Sequence, residues 1–276
     1  VSKPNGKRTL GVDRIAAAFS RCFARREKAL VTYVMAGDPD VATSKAMALA
    51  CVEGGADLLE IGIPFSDPVA DGPTIQKAAE RALASGTKLA DVLEVAKAVR
   101  AKSDVPIALM GYLNPVHNRG LDRFVDDCVG AGVDALIIPD LLPEEAGELL
   151  SLATPRGLKV VFLVAPTSGP DRIAAAAKDA TGFLYFVSVT GVTGARKAVP
   201  REIGATVSAL RAASKVPVVI GFGVSGPEQA RTLGKLADGV VVGSAIVNRI
   251  AEGGSRKARA DRVRKFVGAL KRALRP

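Results

Sequence analysis

Short apolar runs recur along the chain: ALVTYVMAG at 29–37, DLLEIG at 57–62, VPIALMGY at 105–112 and DALIIPD at 134–140, then LKVVFLVAP at 158–166, GFLYFVSV at 182–189, VPVVIGFG at 216–223 and DGVVVGSA at 238–245. Each is only a strand long and rich in Val, Ile and Leu, as strands covered on both faces require. Between them lie Ala-, Leu-, Glu- and Lys-rich stretches with helical spacing, such as VATSKAMALACVEGGA and PEEAGELLSLA. Alternating strands and helices predict parallel pairing through right-handed crossovers. Eight such units without a linker predict one domain over 1–276, an α/β fold of the TIM (β/α)8 barrel type. DRIAAAFSRCFARRE adds an N-terminal helix (11–27), and a last helix spans 256–275. An open doubly wound sheet would put a glycine-rich loop after the first strand, and none is there.

Composition narrows the class. The chain of 276 residues is 48% hydrophobic and 4% aromatic, without Trp. Three dispersed cysteines and a single His make neither a zinc pattern nor a disulfide framework, so a reducing, cytosolic setting is expected. No apolar run has the length of a membrane span, and VSKPNGKRTLGV lacks a signal-peptide core. The net charge of +10 raises the question of nucleic acid. Residues 1–28 hold eight Lys/Arg against two acids, and residues 251–276 hold nine against two, so the ends outweigh the total and the middle is slightly acidic. In the last helix, Val263, Phe266, Val267, Leu270 and Leu274 keep helical spacing, and the charges between them predict a solvated face. With almost no aromatic residues at either end to stack bases, no nucleic-acid partner is expected.

The chemistry concentrates where a barrel keeps it, at the carboxyl ends of its strands. Glu60 ends the second apolar run, where an ionised carboxylate is costly unless paired. No other strand carries Lys or Arg near its carboxyl end to pair with it. A carboxyl there is suited to acid–base work near neutral pH. The following loop, IPFSDPVADGP, brings Asp67 and Asp71. Asp67 also reads as a turn residue, and Asp71, just before GPTIQKAAERAL, also reads as a helix cap. These two acids have too few companions for a metal site. After the seventh and eighth strands, GFGVSG and VGSAIVNRI supply Gly221, Gly223, Gly243 and Ser244, suited to backbone binding of phosphate. SVTGVTGARKAVP after the sixth strand adds Gly191 and Gly194 in a loop able to close over a ligand. From residues alone, the expectation is an enzyme acting on a small phosphorylated substrate by proton transfer.

LLEIGIPFSDPVADGPTIQKA closely resembles the signature of the tryptophan synthase α subunit. YVMAGDPD, GYLNPVHNRG, IIPDLLPEE, FLVAPTS, FVSVTGVTGAR, GFGVS and DGVVVGSAIV follow that family in order and spacing. The resemblance implies a lyase that cleaves indole-3-glycerol phosphate to indole and glyceraldehyde 3-phosphate. It implies no cofactor in this chain; pyridoxal phosphate (PLP) belongs to a β subunit that receives the indole, in an αββα heterotetramer. Carried over residue by residue, Glu60 is the acid/base at indole C3, Asp71 holds the indole N–H, and Tyr185 lies beside the glutamate. Phosphate falls to Gly194, Gly223, Gly243 and Ser244, and the indole pocket to Tyr33, Tyr112 and Phe222. The β-subunit surface falls to the loops holding Pro64, Asp67 and Asn114. Val189 and Leu142 depart from the family pattern at positions without a catalytic role, and His117 reads as a loop residue near the partner surface. Three alternatives remain beside this reading: another phosphate-binding barrel enzyme, a β-subunit activator without catalysis, and a basic nucleic-acid binder.

Overall fold

The computed structural model describes residues 13–187, 201–221 and 223–276. Its strands are β1 Ala29–Met35, β2 Leu58–Gly62, β3 Ile107–Met110, β4 Ala135–Ile137, β5 Lys159–Val161, β6 Leu163–Val164, β7 Leu184–Val187, β8 Val218–Gly221 and β9 Gly239–Val242. All pair in parallel, in the order β5-β4-β3-β2-β1-β9-β8-β7-β6. The two ends of that order, β5 and β6, are separated in the chain only by Phe162. They are halves of one stave, so the sheet comes round into an eight-stave TIM-type barrel with helices outside. The fifth expected strand is thus split. Two residues before the break, the Val160 amide donates to Thr181 Oγ1 rather than to a neighbouring strand. The ladder resumes where Tyr185 N donates to the Phe162 carbonyl.

Alternation along β1 and β2 sorts the side chains. Leu30, Val34, Leu59 and Ile61 pack outward against the helices. Val31 and Leu58 face the barrel interior with Ala108, Ala135, Val161, Val219 and Val241. Helix Arg14–Ala24, capped by Asp13 accepting from Ala16 N, closes the amino end with Ile15, Phe19 and Cys22. By the same alternation Glu60, two residues after Leu58, faces the interior one layer higher, paired with Tyr33 on β1 and Ala108 on β3.

Two expectations need correction. GYLNPVHNRG is not an extended loop, because Leu113–Arg119 forms a helix. Pro115 sits in its first turn, where the missing N–H costs nothing, and Asp140 accepts from Leu113 N at 2.9 Å. The last helix, Arg256–Ala273, buries Val263, Phe266, Val267 and Leu270, with Leu274 buried just beyond its end. Lys271 is buried as well, against the expectation of a solvated charged face. It sits one turn from Val267 on the packed face, and its Nζ lies 2.7 Å from Asp57 Oδ2 and 2.9 Å from Glu27 Oε2. Asp57 also accepts from Leu30 N. One ammonium group thereby joins the last helix, the lead-in to β1 and the start of β2.

Candidate active site

Parallel neighbours on both sides fix the place of Glu60 in β2. The residue is 1% exposed, and its Oε2 has no hydrogen-bond partner among the described residues. Among the described residues no Lys or Arg reaches it, so no ion pair accounts for its burial there. Burial first, and then the negative charge of Asp71, push its carboxyl up to about 8. A carboxyl with that value is mostly a neutral acid at pH 7.

Asp71 is half-buried in the loop after β2. It does not cap the helix that follows. Helix Pro73–Ala84 has Gly72 at its N-cap and no side-chain cap bond, so the carboxylate is left for the site. Burial raises it to about 6, while a hydrogen bond from the Tyr112 hydroxyl acts the other way. That hydroxyl in turn accepts from Ala70 N at 3.0 Å. Gln76 Nε2 donates to the Asp71 carbonyl at 2.9 Å, pinning the backbone from one turn inside the helix. Gln76 escaped the sequence reading, since nothing in its spacing marks an amide that turns back onto the preceding loop.

Two buried tyrosines flank the carboxyls. Tyr185 on β7 lies across Gly221, where a Cβ would collide with its ring, and Tyr33 lies across Gly62 in the same manner. Burial raises both phenols well above their ordinary value. Of the two carboxylates, Glu60 acts more on Tyr185 and Asp71 more on Tyr33. Glu60, Asp71, Tyr33, Tyr112 and Tyr185 therefore converge.

On the adjoining side of the barrel mouth, Gly243 is the N-cap of helix Ser244–Ala251 and its carbonyl accepts from Ile246 N and Val247 N. The amides of Ser244 and Ala245 precede any helical partner, as an anion site requires. Gly223 has φ +45°, a conformation that favours glycine. Gly194 and Phe222 lie outside the described residues, as do Gly191 and Val189. Asp67 is exposed and accepts from Ser66 Oγ, Pro64 is buried, and Asn114 and His117 are exposed on helix Leu113–Arg119. Between Phe65–Val69 and Gln76, Glu80 and Leu83 lies a cleft of about 270 Å³. Val69 on its rim is 85% exposed. Among the described residues, no group of three or more His, Cys, Asp and Glu side chains is placed to hold a metal ion, and no helix is long and apolar enough to cross a membrane.

A parallel barrel that sets a neutral acid and an ionised carboxylate side by side, next to an open helix N-terminus, defines a barrel enzyme of acid–base chemistry on a phosphorylated substrate. The family model for the tryptophan synthase alpha chain matches residues 19–275. The chain is 49% identical over 263 residues to the tryptophan synthase alpha chain of Geobacter sulfurreducens, covering 95% of this chain and 99% of that one. It is 53% identical over 236 residues to that of Citrifermentans bemidjiense, covering 86% and 88%. Among solved structures, tryptophan synthase subunit alpha from Legionella pneumophila superposes with a TM-score of 0.88 at 36% identity, covering 96% of this chain and 99% of that one. A chain of Mycobacterium tuberculosis tryptophan synthase gives 0.88 at 40% identity, covering 95% and 98%. The chain belongs to the tryptophan synthase alpha chain family. It is a carbon–carbon lyase of tryptophan biosynthesis that cleaves indole-3-glycerol phosphate.

Proposed function

We propose that Glu60 and Asp71 divide the proton work of this cleavage. Breaking the bond between indole C3 and the glyceryl chain requires a proton at C3, so that indole departs as a neutral molecule. Glu60, neutral near pH 7, delivers that proton. Ionised Asp71 accepts a hydrogen bond from the indole N–H and stabilises the positive charge that protonation places on the ring. As the bond breaks, its electron pair restores the indole ring. The glyceryl hydroxyl becomes an aldehyde and gives its proton to the Glu60 carboxylate. The observation that carries this assignment is the unpaired burial of Glu60 beside Asp71, which separates the two carboxyls into one acid and one base. Tyr185 confines Glu60. The phosphate is held by Gly194, Gly223, Gly243 and Ser244, and the indole lies among Tyr33, Tyr112 and Phe222.

The same reading includes a partner, a PLP-dependent β subunit in an αββα heterotetramer in the cytoplasm. It docks through the segments of Pro64, Asp67 and Asn114 and receives the indole. The exposure of Asp67, Val69 and Asn114 beside the loop that carries Asp71 supports this surface. Indole release from indole-3-glycerol phosphate, measured across a titration with β subunit, tests the whole. Turnover should rise at least about tenfold, or roughly 1.4 kcal/mol of barrier, and Asp67→Ala should blunt that rise with little effect on the isolated chain. A rate that stays flat, with no change of size by light scattering, would remove the partner and leave the lyase chemistry standing.

A further inference from the structure

Tyr33 has the position of an indole-pocket ring, but its hydroxyl is out of keeping with an apolar role. The residue is 5% exposed on the interior face of β1, in register with Glu60. Its two ends meet different parts of the site. At one end, a Cβ built on Gly243 would stand 3.4 Å from Tyr33 Cβ and 3.7 Å from its ring. At the other, the hydroxyl lies over Gly62, two residues past Glu60, close enough that no side chain fits there. The ring thus runs from the start of helix Ser244–Ala251 to the strand end bearing the carboxyls. The hydroxyl makes one hydrogen bond among the described residues, 3.8 Å to Met35 Sδ, and a thioether is a weak acceptor. A buried donor left in this state is costly, and Phe would fill the same space without that cost. Asp71 and Glu60 are the charged groups that bear on it, followed by Tyr185 and Tyr112, and it stays a neutral donor.

We propose that the Tyr33 hydroxyl donates a hydrogen bond to a glyceryl hydroxyl oxygen of the bound substrate. The inference rests on the reading above, in which phosphate sits at Gly243 and indole at Asp71. The polar atoms of the substrate between those ends are the hydroxyls of its three-carbon chain, and Tyr33 spans that interval. The hydroxyl is a missing half of a pair that the substrate completes. It selects a hydroxylated linker over a plain alkyl one.

Tyr33→Phe keeps the ring and removes only the donor. With indole-3-glycerol phosphate, kcat/KM for indole release should fall about tenfold. Affinity for indole-3-propanol phosphate, which has the same ring and phosphate but no chain hydroxyl, should stay within about twofold by calorimetry, a discrimination expected where a site is built to bond a substrate hydroxyl. The melting temperature should be unchanged or raised, because an ill-paired buried donor has gone. An unchanged kcat/KM would overturn the proposal. So would parallel weakening of both ligands, which marks loss of ring packing, or a lower melting temperature, which marks a structural hydroxyl. Wild-type protein that releases no indole would instead refute the lyase reading itself, and the proposal with it.

Discussion

Glu60→Gln exchanges one oxygen for an amide nitrogen inside the barrel and leaves the shape of the chain alone. In the folded protein the carboxyl holds its proton up to about 8, whereas the ordinary value is 4.5. Between those values the folded chain binds a proton that the unfolded chain has released. Stability contributed by this group is therefore lost as pH rises, with no penalty below 4.5 and the full penalty above 8. Integrated over that interval, the penalty is about 1 kcal/mol at pH 5, about 3 kcal/mol at pH 7 and about 4 kcal/mol at pH 8. Gln cannot ionise and escapes it. The amide brings one more unpaired donor into the site, at a cost of about 1–2 kcal/mol that does not vary with pH. The variant should thus be close to wild type at pH 5 and more stable by about 2 kcal/mol at pH 8. Urea unfolding of both proteins from pH 5 to pH 8 measures the difference, and its slope with pH is the decisive quantity. Indole release should meanwhile fall by roughly 10²–10⁴-fold. A stability difference that stays flat over this range would show that Glu60 does not hold its proton, and the argument from burial would fail. Retention of more than about a tenth of wild-type turnover, against the loss usual for such a group, would make Glu60 structural.

The proposed mechanism needs Asp71 ionised and Glu60 protonated, so kcat/KM should follow a bell with an acid limb near 6 and a basic limb near 8, values that belong to the interacting pair. Asp71→Asn should lower the plateau and abolish the acid limb, which a pH–rate profile on indole-3-glycerol phosphate would reveal; a surviving limb near 6 would point to another group. Lys271→Met leaves Glu27 and Asp57 without their shared ammonium group and should destabilise the fold by about 2–4 kcal/mol at pH 7 in urea unfolding. Because Lys271 holds Glu27 below its ordinary 4.5, that part of the deficit should shrink as pH falls below 4.5, and a deficit constant down to pH 3 would contradict the pairing.

Local signals located most of the barrel and singled out Glu60 and Asp71, which the fold brings near each other. The apolar runs anticipated every stave because a strand buried on both faces must be apolar along its length. Glu60 stood out because it broke that rule. What escaped the sequence depended on partners distant in the chain. Lys271 looked like one of many solvated cations in a basic helix until Asp57 and Glu27 met it across the fold. The amide of Val160, in the stave that is interrupted at Phe162, finds its acceptor in the Thr181 hydroxyl 21 residues away. Asp71 carried a local cap signal, but the cap fell to Gly72. Pro115 suggested a loop, because proline marks the first turn of a helix as readily as it marks its absence. The hydroxyl of Tyr33 was legible as a residue type, whereas its lack of a good acceptor emerged only from the packing.

The geometry also places the proposed docking surface close to the chemistry. Ala70 N donates to the Tyr112 hydroxyl, and that hydroxyl donates to Asp71. Ala70 belongs to the loop of Asp67 and Val69, while Tyr112 is the N-cap of helix Leu113–Arg119, which bears Asn114. The two segments proposed to face the β subunit therefore meet in one short relay that ends on the Asp71 carboxylate. Displacing either of them shifts Asp71, whereas Glu60 is held by β1 and β3 on both sides. A partner that ordered this relay would raise turnover by positioning the base alone, with no movement required of the acid.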